Sequence, residues 1–150
     1  MLEQAASIPL LVVDTNVVLD WVAFRDPRVQ PIVAAIERGA LRVATSGACL
    51  QELRRALGYA QVKLDSRAQA LAFERYIAHA RVFEMCGQPE AKDLPQCEDR
   101  DDQKFLELAW YARASHLLTR DKALLKLARR VAQSGRFTVL APDDFLRLKL

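Results

Sequence analysis

The sequence predicts a single α/β domain organised around a parallel β-sheet, and three observations favour this fold class. Short apolar runs alternate with segments of helical periodicity along the chain, which is the order typical of repeated β–α–β units. The 150 residues are 51% hydrophobic and 27% charged, the composition of an ordinary globular domain. The 5 Gly and 6 Pro are scattered, so nothing divides the chain into two folding units. We therefore expect one domain over residues 1–150.

The first β–α–β unit is predicted from residues 9–44. Residues 9–14 form an apolar run that ends at a polar side chain, as expected for a strand buried on both faces of a parallel sheet, and a helix should follow it. Apolar residues then recur with helical spacing over 29–37 until Gly39. Residues 41–44 predict the second strand.

Capping residues predict the next two helices. Thr45 and Ser46 can cap a helix that ends at Gly58. Ser66 and Gln69 have the spacing of a capping box, which predicts a helix opening there and leading into a third strand. That strand and the loop after it are predicted over residues 81–84 and 87–100.

The last third of the chain repeats the alternation of strands and helices. The predicted elements are, in order, a helix over 105–112, a strand over 116–119, a helix over 124–131, a strand over 137–140 and a short helix from Asp143.

Composition excludes several classes of protein. Lys and Arg number 22 against 19 Asp and Glu, a net charge of +3 that permits a polyanionic partner without requiring one. The 3 cysteines are an odd number without a C-x-x-C spacing, so neither a disulfide framework nor a thiolate zinc site is indicated. No apolar stretch approaches the ~20 residues of a membrane span, and the start does not read as a signal peptide. We expect a cytoplasmic protein with no membrane partner.

Two aspartates follow predicted strands and direct attention to one edge of the sheet. Asp14 ends the first strand, and Asp121 comes two residues after the strand over 116–119. Because the carboxyl ends of parallel strands meet at one edge, where ligands bind in open α/β sheets, both side chains should lie together there. Taken singly, each aspartate could instead cap the helix that follows it.

A third carboxylate is predicted from helical geometry. In a helix that begins near Asp101, Asp102 shares the core-facing stripe at the first turn and should point over the sheet edge. Asp99 and Asp101 are better placed to cap that helix or to interact with its dipole, and a solvated helix start is the alternative for all three. Glu52 lies at the margin of an apolar stripe, and periodicity alone predicts an exposed surface residue.

Carboxylates gathered at one edge repel one another unless a divalent cation lies among them. Oxygen ligands without nearby Cys or His favour Mg²⁺ or Mn²⁺ and suit phosphoryl chemistry. Asn16 could orient Asp14 or a metal-bound water by hydrogen bonding, and Thr119 could do the same opposite Asp121, although ordinary helix-start and strand roles would also explain both. The candidate metal ligands are Asp14, Asp102 and Asp121.

Four segments, in this order, resemble the acidic motifs of PIN domains. They are VVDTNVVL over 12–19, TS at 45–46 with LQEL over 50–53, DRDDQKFLELA over 99–109, and LLTRDKALL over 117–125. The likeness covers about residues 10–145. The D-x-D-D-x-x-F-L-x-x-A form of the third motif is similar to that of a VapC-like bacterial and archaeal branch, whose members are described as toxins of toxin–antitoxin pairs.

The resemblance implies a three-layer α/β/α fold with about five parallel strands, Mg²⁺- or Mn²⁺-dependent ribonuclease activity and a small antitoxin partner. The four acids of the PIN motifs correspond to Asp14, Glu52, Asp102 and Asp121 of this chain, which the resemblance implies are catalytic. The polar supporting positions match Asn16 and Thr119, while Asp99 or Asp101 could share or replace the part of Asp102.

The sequence is also compatible with two other functional classes. A PIN-like module without catalysis could bind RNA or a protein partner. A phosphatase or phosphoryl-transfer domain could use Asp14 as its nucleophile, although such domains often continue with D-x-D where this chain has Asp14-Thr15-Asn16.

The resemblance also implies a homodimer, for which the sequence offers an apparent excess of large apolar or amphipathic side chains. They are Trp21, Val22, Phe24, Phe73, Tyr76 and Ile77.

Overall fold

Five parallel strands form one sheet in the order β3-β2-β1-β4-β5. The computed structural model describes residues 8–89 and 91–149. The strands are β1 (Leu10–Val13), β2 (Arg42–Thr45), β3 (Ala80–Val82), β4 (His116–Leu118) and β5 (Thr138–Leu140).

Helices cover both faces of the sheet, which confirms the predicted three-layer α/β/α fold. Within the described ranges they are α1 (Thr15–Val22), α2 (Gln30–Glu37), α3 (Gly47–Leu57), α4 (Ser66–Ile77), α5 (Gln103–Ala112), α6 (Lys122–Leu125), α7 (Ala128–Gln133) and α8 (Pro142–Lys149). None of the described helices is long and apolar enough to cross a membrane.

Alternation along the strands divides the interior into two cores. Leu11 and Val13 of β1 pack with α1 to α4 and with Phe145 of α8. Leu10 and Val12 face the opposite way and pack with α5, α6 and α7. Successive strand side chains point to opposite faces, so a strand covered on both sides must be apolar at every position, as the run in β1 is.

The pairing of β1 with β4 positions the edge that carries the acids. The two strands are parallel neighbours, and the backbone N–H of Asp14 donates to the Leu118 carbonyl at 2.9 Å, one residue beyond the end of β1. The chain turns into α1 directly after this bond. The carboxyl ends of β1 and β4 therefore lie side by side.

Two local predictions at helix starts and ends are wrong. The N-cap of α4 is Asp65, whose Oδ1 accepts from the Ala68 N–H at 2.8 Å, and the Gln69 amide donates to the Leu64 carbonyl, so Ser66 and Gln69 form no capping box. The single helix predicted over 124–131 is two short helices, because the chain tightens at Leu127, whose N–H donates to Leu124.

The third strand also differs slightly from its prediction, since β3 is Ala80–Val82 and not 81–84. Its register against β2 pairs Thr45 with Val82, and the Phe83 N–H still donates to the Thr45 carbonyl at 2.8 Å. The interstrand bonding therefore reaches one residue past the strand.

The apolar patch predicted for a dimer is mostly interior. Trp21 and Tyr76 are each 3% exposed and meet edge to face, with ring centroids 5.5 Å apart. Val22 and Phe73 are also buried, whereas Phe24 and Ile77 are exposed. Four of the six side chains thus stabilise the monomer, and the homodimer stays a prediction.

Candidate active site

A cavity of about 460 Å³ opens at the carboxyl edge of β1 and β4. Five carboxylates line it: Asp14, Glu52, Asp101, Asp102 and Asp121. Of the other sequence-predicted residues, Asn16 lines the cavity, while Thr119 and Asp99 lie behind it and contact its acids or their backbone.

Asp14 is buried, and a short hydrogen bond from Thr119 holds its carboxylate. It is 3% exposed, and its Oδ2 accepts from the Thr119 hydroxyl at 2.6 Å. Although Asp14 occupies the N-cap position of α1, its side chain caps no backbone N–H. The capping explanation therefore does not account for this carboxylate, which is available to the cavity.

Burial raises the pKa of Asp14 above its ordinary value. The Thr119 hydrogen bond opposes this shift, while the negative charges of Glu52 and Asp121 add to it. A buried carboxylate with two acidic neighbours has a strong electrostatic preference for a positive group nearby.

Thr119 joins two strand ends, but differently from the prediction. Its hydroxyl donates to the Asp14 carboxylate and accepts from the backbone N–H of Asp121 at 2.9 Å. It therefore orients Asp14 and not the Asp121 side chain. Asp121 keeps both roles that the sequence allows, because its Oδ1 accepts from the Ala123 N–H at 2.9 Å to cap α6 while the residue lines the cavity.

Asp102 carries an unsatisfied acceptor. It ends a short 3-10 turn that Asp99 caps by accepting from the Asp101 N–H at 2.9 Å, as the sequence indicates for Asp99. The Oδ2 atom of Asp102 is buried, and the described residues provide no hydrogen-bond partner for it. Burial, the adjoining carboxyl of Asp121 and the charge of Asp14 raise the pKa of Asp102 to about 7.

Glu52 is half-buried rather than on the open surface, contrary to the prediction from periodicity. Its Oε1 lies 2.5 Å from the Lys104 ammonium, and its Oε2 accepts from the Thr15 hydroxyl. Lys104 also donates to the Asp101 carbonyl. One lysine on α5 thus joins α3 to the turn that presents Asp102.

Sequence reasoning missed Lys104 and Thr15. Their only signal is proximity to predicted acids, since Thr15 follows Asp14 and Lys104 lies two residues beyond Asp102. Asn16 is exposed and lines the cavity, and no hydrogen bond joins its side chain to Asp14 in the part of the chain that the structure describes, so its supporting role stays a prediction.

The PIN-domain family model matches residues 10–123, from β1 to the start of α6. The chain belongs to the PIN-domain family. PIN domains are generally nucleases that use divalent metal ions, and the match includes all four of the predicted acids. It ends before β5 and α8, although the likeness inferred from sequence extends to about residue 145. A comparison with curated proteins finds no match.

The acids of this PIN domain fit a divalent cation by their chemistry. As the side chains stand, no three His, Cys, Asp or Glu groups within residues 8–89 and 91–149 are arranged to hold a metal together. The contacts of Glu52 with Lys104 and Thr15 direct it toward protein donors. However, the buried acceptor of Asp102 beside the carboxylates of Asp14 and Asp121 presents the oxygen ligands that Mg²⁺ and Mn²⁺ prefer.

A second cavity of about 450 Å³ lies at the opposite edge of the PIN-domain sheet, where the strands begin. It is lined by Arg42, Arg81, Arg113 and His116 among others. His116, predicted to lie away from the acids, does so and packs edge to face on Phe145 at 5.1 Å.

Proposed function

We propose that this PIN domain is a Mg²⁺- or Mn²⁺-dependent endoribonuclease that hydrolyses RNA phosphodiester bonds. The observation that carries the proposal is the Oδ2 atom of Asp102, a buried acceptor without a donor, in a cavity whose other acids include Asp14 and Asp121. When both carboxyls are ionised, that oxygen lies beside the Asp121 carboxylate with no donor, and a bound cation would supply the positive charge in place of the proton that the raised pKa retains.

Asp14, Asp102 and Asp121 would hold the cation. When bound, the metal would supply polarisation of the phosphoryl oxygen and a lowered pKa for an attacking water. Thr119 fixes the Asp14 carboxylate in advance through its 2.6 Å hydrogen bond. Asp121 is fixed by its cap on α6.

Glu52 would act as the fourth acid. Its two oxygens are already engaged by Lys104 and Thr15, so the side chain has a defined position before any ligand binds. The ammonium of Lys104 also offsets one negative charge of the cluster. This arrangement lets an anionic phosphate approach an acidic cavity with less repulsion.

We further propose that the enzyme is a cytoplasmic, VapC-like toxin, that it forms a homodimer, and that a small antitoxin covers the acidic cavity. The support is the third motif, in which the acids of the 3-10 turn are followed directly by α5 and its buried side chains Phe105 and Leu106. A small open reading frame adjacent to the gene would encode the antitoxin.

Cleavage of a structured RNA tests the nuclease. We expect cleavage with Mn²⁺ and none with excess chelator, and Asp102→Asn should lower the rate about 100-fold or more, as loss of a charge-stabilising group does in other active sites. Asp101→Asn is the matched control, because Asp101 is exposed and one residue away, and it should retain activity within about 3-fold.

The controls distinguish the proposed nuclease from the alternative functions. Equal inactivity of folded Asp101→Asn and Asp102→Asn would remove the assignment of Asp102. No cleavage by the wild-type chain under any metal condition would favour a PIN domain that only binds. Inhibition by the product of the adjacent reading frame would support the toxin, and an active nuclease that this product does not inhibit would contradict it.

A further inference from the structure

Two aromatic side chains stand exposed on the wall of the acidic cavity. Phe24 is 51% exposed and Tyr59 is 50% exposed, and both line the same cavity as Asp14 and Asp102. They come from different parts of the chain, since Phe24 follows α1 and Tyr59 follows α3. Two loops therefore bring aromatic rings to one site.

The rings and two of the acids lie at different points along the helices that carry or precede them. Asp14 directly precedes the 8-residue helix α1, and Phe24 lies just beyond its end, a separation of about 12 Å along the helix axis. Glu52 lies within α3, about 8 Å along the axis from its last residue, and Tyr59 comes two residues after that end. Helices α1 and α3 pack against each other, and the two rings line the same cavity as Asp14 and Glu52.

The same cavity also carries a positive charge and a further polar side chain. Arg55 lies on α3 between Glu52 and Tyr59 and lines the cavity, as does Gln61 beyond the helix. Other exposed large apolar side chains, such as Leu71 and Val82, lie outside this cavity. The two rings therefore differ from the other exposed apolar side chains, because they line the same cavity as the candidate catalytic acids and the Arg55 guanidinium.

We propose that Phe24 and Tyr59 form a stacking subsite for unpaired nucleobases next to the scissile phosphate. This inference rests on the proposed nuclease function and narrows its substrate to single-stranded segments of RNA. An aromatic ring binds the face of a base, which is free in a single strand but covered by neighbouring base pairs in a duplex. Arg55 then contacts the phosphate between the stacked base and the cleaved bond.

The two rings would favour unpaired RNA over duplex RNA, but they would not favour a particular base sequence. Every base has a stacking face, so a subsite made of two rings binds any unpaired base. Stacking of one base on an aromatic ring corresponds to about a 5-fold to 150-fold gain in affinity. We therefore expect each ring to affect substrate binding and KM, while kcat depends on the acids.

Equilibrium binding tests the subsite independently of cleavage. The probe is a fluorescein-labelled, unstructured RNA of about 12 nucleotides, measured by anisotropy with Mg²⁺ in the Asp102→Asn background. Phe24→Ala and Tyr59→Ala should each weaken binding about 5-fold or more, whereas Phe24→Tyr and Tyr59→Phe should keep it within about 2-fold. In the wild-type background, the alanine variants should raise KM by a similar factor and leave kcat nearly unchanged.

Matched controls exclude a general effect of removing apolar surface. Leu71→Ala removes a side chain that is also 50% exposed but lies outside the cavity, and it should leave RNA binding unchanged. A blunt-ended RNA duplex of the same length should bind more weakly, and its affinity should not respond to the alanine substitutions. Circular dichroism and thermal unfolding would verify that each variant is folded.

The outcomes distinguish this inference from the proposed function. RNA cleavage with no effect of Phe24→Ala or Tyr59→Ala on KM or affinity would overturn the stacking subsite and leave the nuclease intact. Binding that depends on both rings, without cleavage by the wild-type chain, would overturn the nuclease alone. Alanine variants that lose an antitoxin but bind RNA normally would show that the rings belong to a protein interface, and a chain that binds no RNA would contradict both ideas.

Discussion

Two cavities of nearly equal volume open at opposite edges of the same sheet, and their charges are opposite. The cavity at the carboxyl edge, about 460 Å³, is lined by five carboxylates. The cavity at the amino edge, about 450 Å³, is lined by three arginines. Volume alone therefore does not distinguish a site of chemistry from a surface cleft.

The distinction lies in whether each charge is already satisfied within the fold. The arginines of the amino edge are exposed. Arg42 donates to the Ile8 carbonyl at 3.1 Å and Arg81 lies over the Phe83 ring, while Arg113 ends α5, where positive charge is favourable. At the acidic edge, Asp14 is buried among like charges and Asp102 has an acceptor without a donor. Unrelieved electrostatic cost thus marks the acidic edge as the functional one.

The largest expected effect is on catalysis. Asp14→Asn should lower RNA cleavage about 100-fold or more, because the side chain would lose the charge that holds a cation. Arg42→Gln, at the opposite edge, should remain within about 2-fold of the wild-type rate. The measurement is the initial rate of cleavage with Mn²⁺. Equal losses in the two variants would show that the amino edge also takes part in the reaction.

Asp14→Asn should leave the fold intact or somewhat more stable, since the substitution removes one charge from a repulsive cluster. Thr119 can still donate to the amide oxygen that replaces Oδ2. A variant that unfolds would point to a structural requirement for the carboxylate, which the capping geometry of α1 does not indicate.

Stability should respond to pH at the acidic edge. The pKa of Asp102 is about 7 in the folded chain against 3.8 for an unperturbed aspartate, so the folded chain binds more protons than the unfolded chain between these values. The free energy of unfolding should therefore fall as pH rises from about 4 to about 7. After allowance for solvent screening at this partly exposed side chain, the decrease is about 1–2 kcal/mol.

Urea unfolding at a series of pH values, with chelator present, measures this decrease. Asp102→Asn should remove it, and Asp101→Asn should retain it because that side chain is exposed. The difference between variants reports the Asp102 carboxyl together with Asp14 and Asp121, whose charges interact with it. A wild-type curve parallel to that of Asp102→Asn would contradict the raised pKa.

Sequence patterns located the edge of the sheet but not the contacts that organise it. The apolar run of β1 and the aspartate after it are local features, and parallel strands must end at a common edge, so Asp14 and Asp121 could be placed together. Helical phase predicts Asp102 rather than Asp101 as the third acid; both line the cavity, and of the two only Asp102 has a buried side-chain oxygen without a donor among the described residues.

The remaining features depend on contacts between distant parts of the chain. Lys104 reaches Glu52 across 52 positions, and Thr119 reaches Asp14 across 105, and neither pairing leaves a periodic signal. The break between α6 and α7 is similar, because apolar side chains on both sides of Leu127 continue the helical spacing while the backbone does not.

A divalent cation that binds at the acidic edge should stabilise the folded chain. Mg²⁺ or Mn²⁺ at about ten times its Kd should add about 1.4 kcal/mol to the free energy of unfolding, which raises Tm by about 4 °C in a chain of this size. Asp102→Asn should abolish the shift, whereas Arg113→Gln should keep it. Differential scanning calorimetry measures both. No shift at about 10 mM metal, together with no cleavage, would favour a module that only binds.

The smallest expected effect concerns Arg113 at the amino edge, whose backbone conformation is strained. It ends α5 with φ 58° and ψ 41°, and its N–H donates to the carbonyls of Ala109 and Trp110. Glycine adopts this left-handed conformation without strain, so Arg113→Gly should gain about 0.5 kcal/mol even after the favourable charge at the helix end is lost. Arg113→Ala keeps the strain and loses the charge, and it should be less stable than Arg113→Gly by about 1 kcal/mol in urea unfolding. Both variants should cleave RNA at the wild-type rate, since the guanidinium serves the helix end and not the reaction. Loss of stability in Arg113→Gly equal to that in Arg113→Ala would show that the arginine makes a stronger contact than its position at the helix end provides.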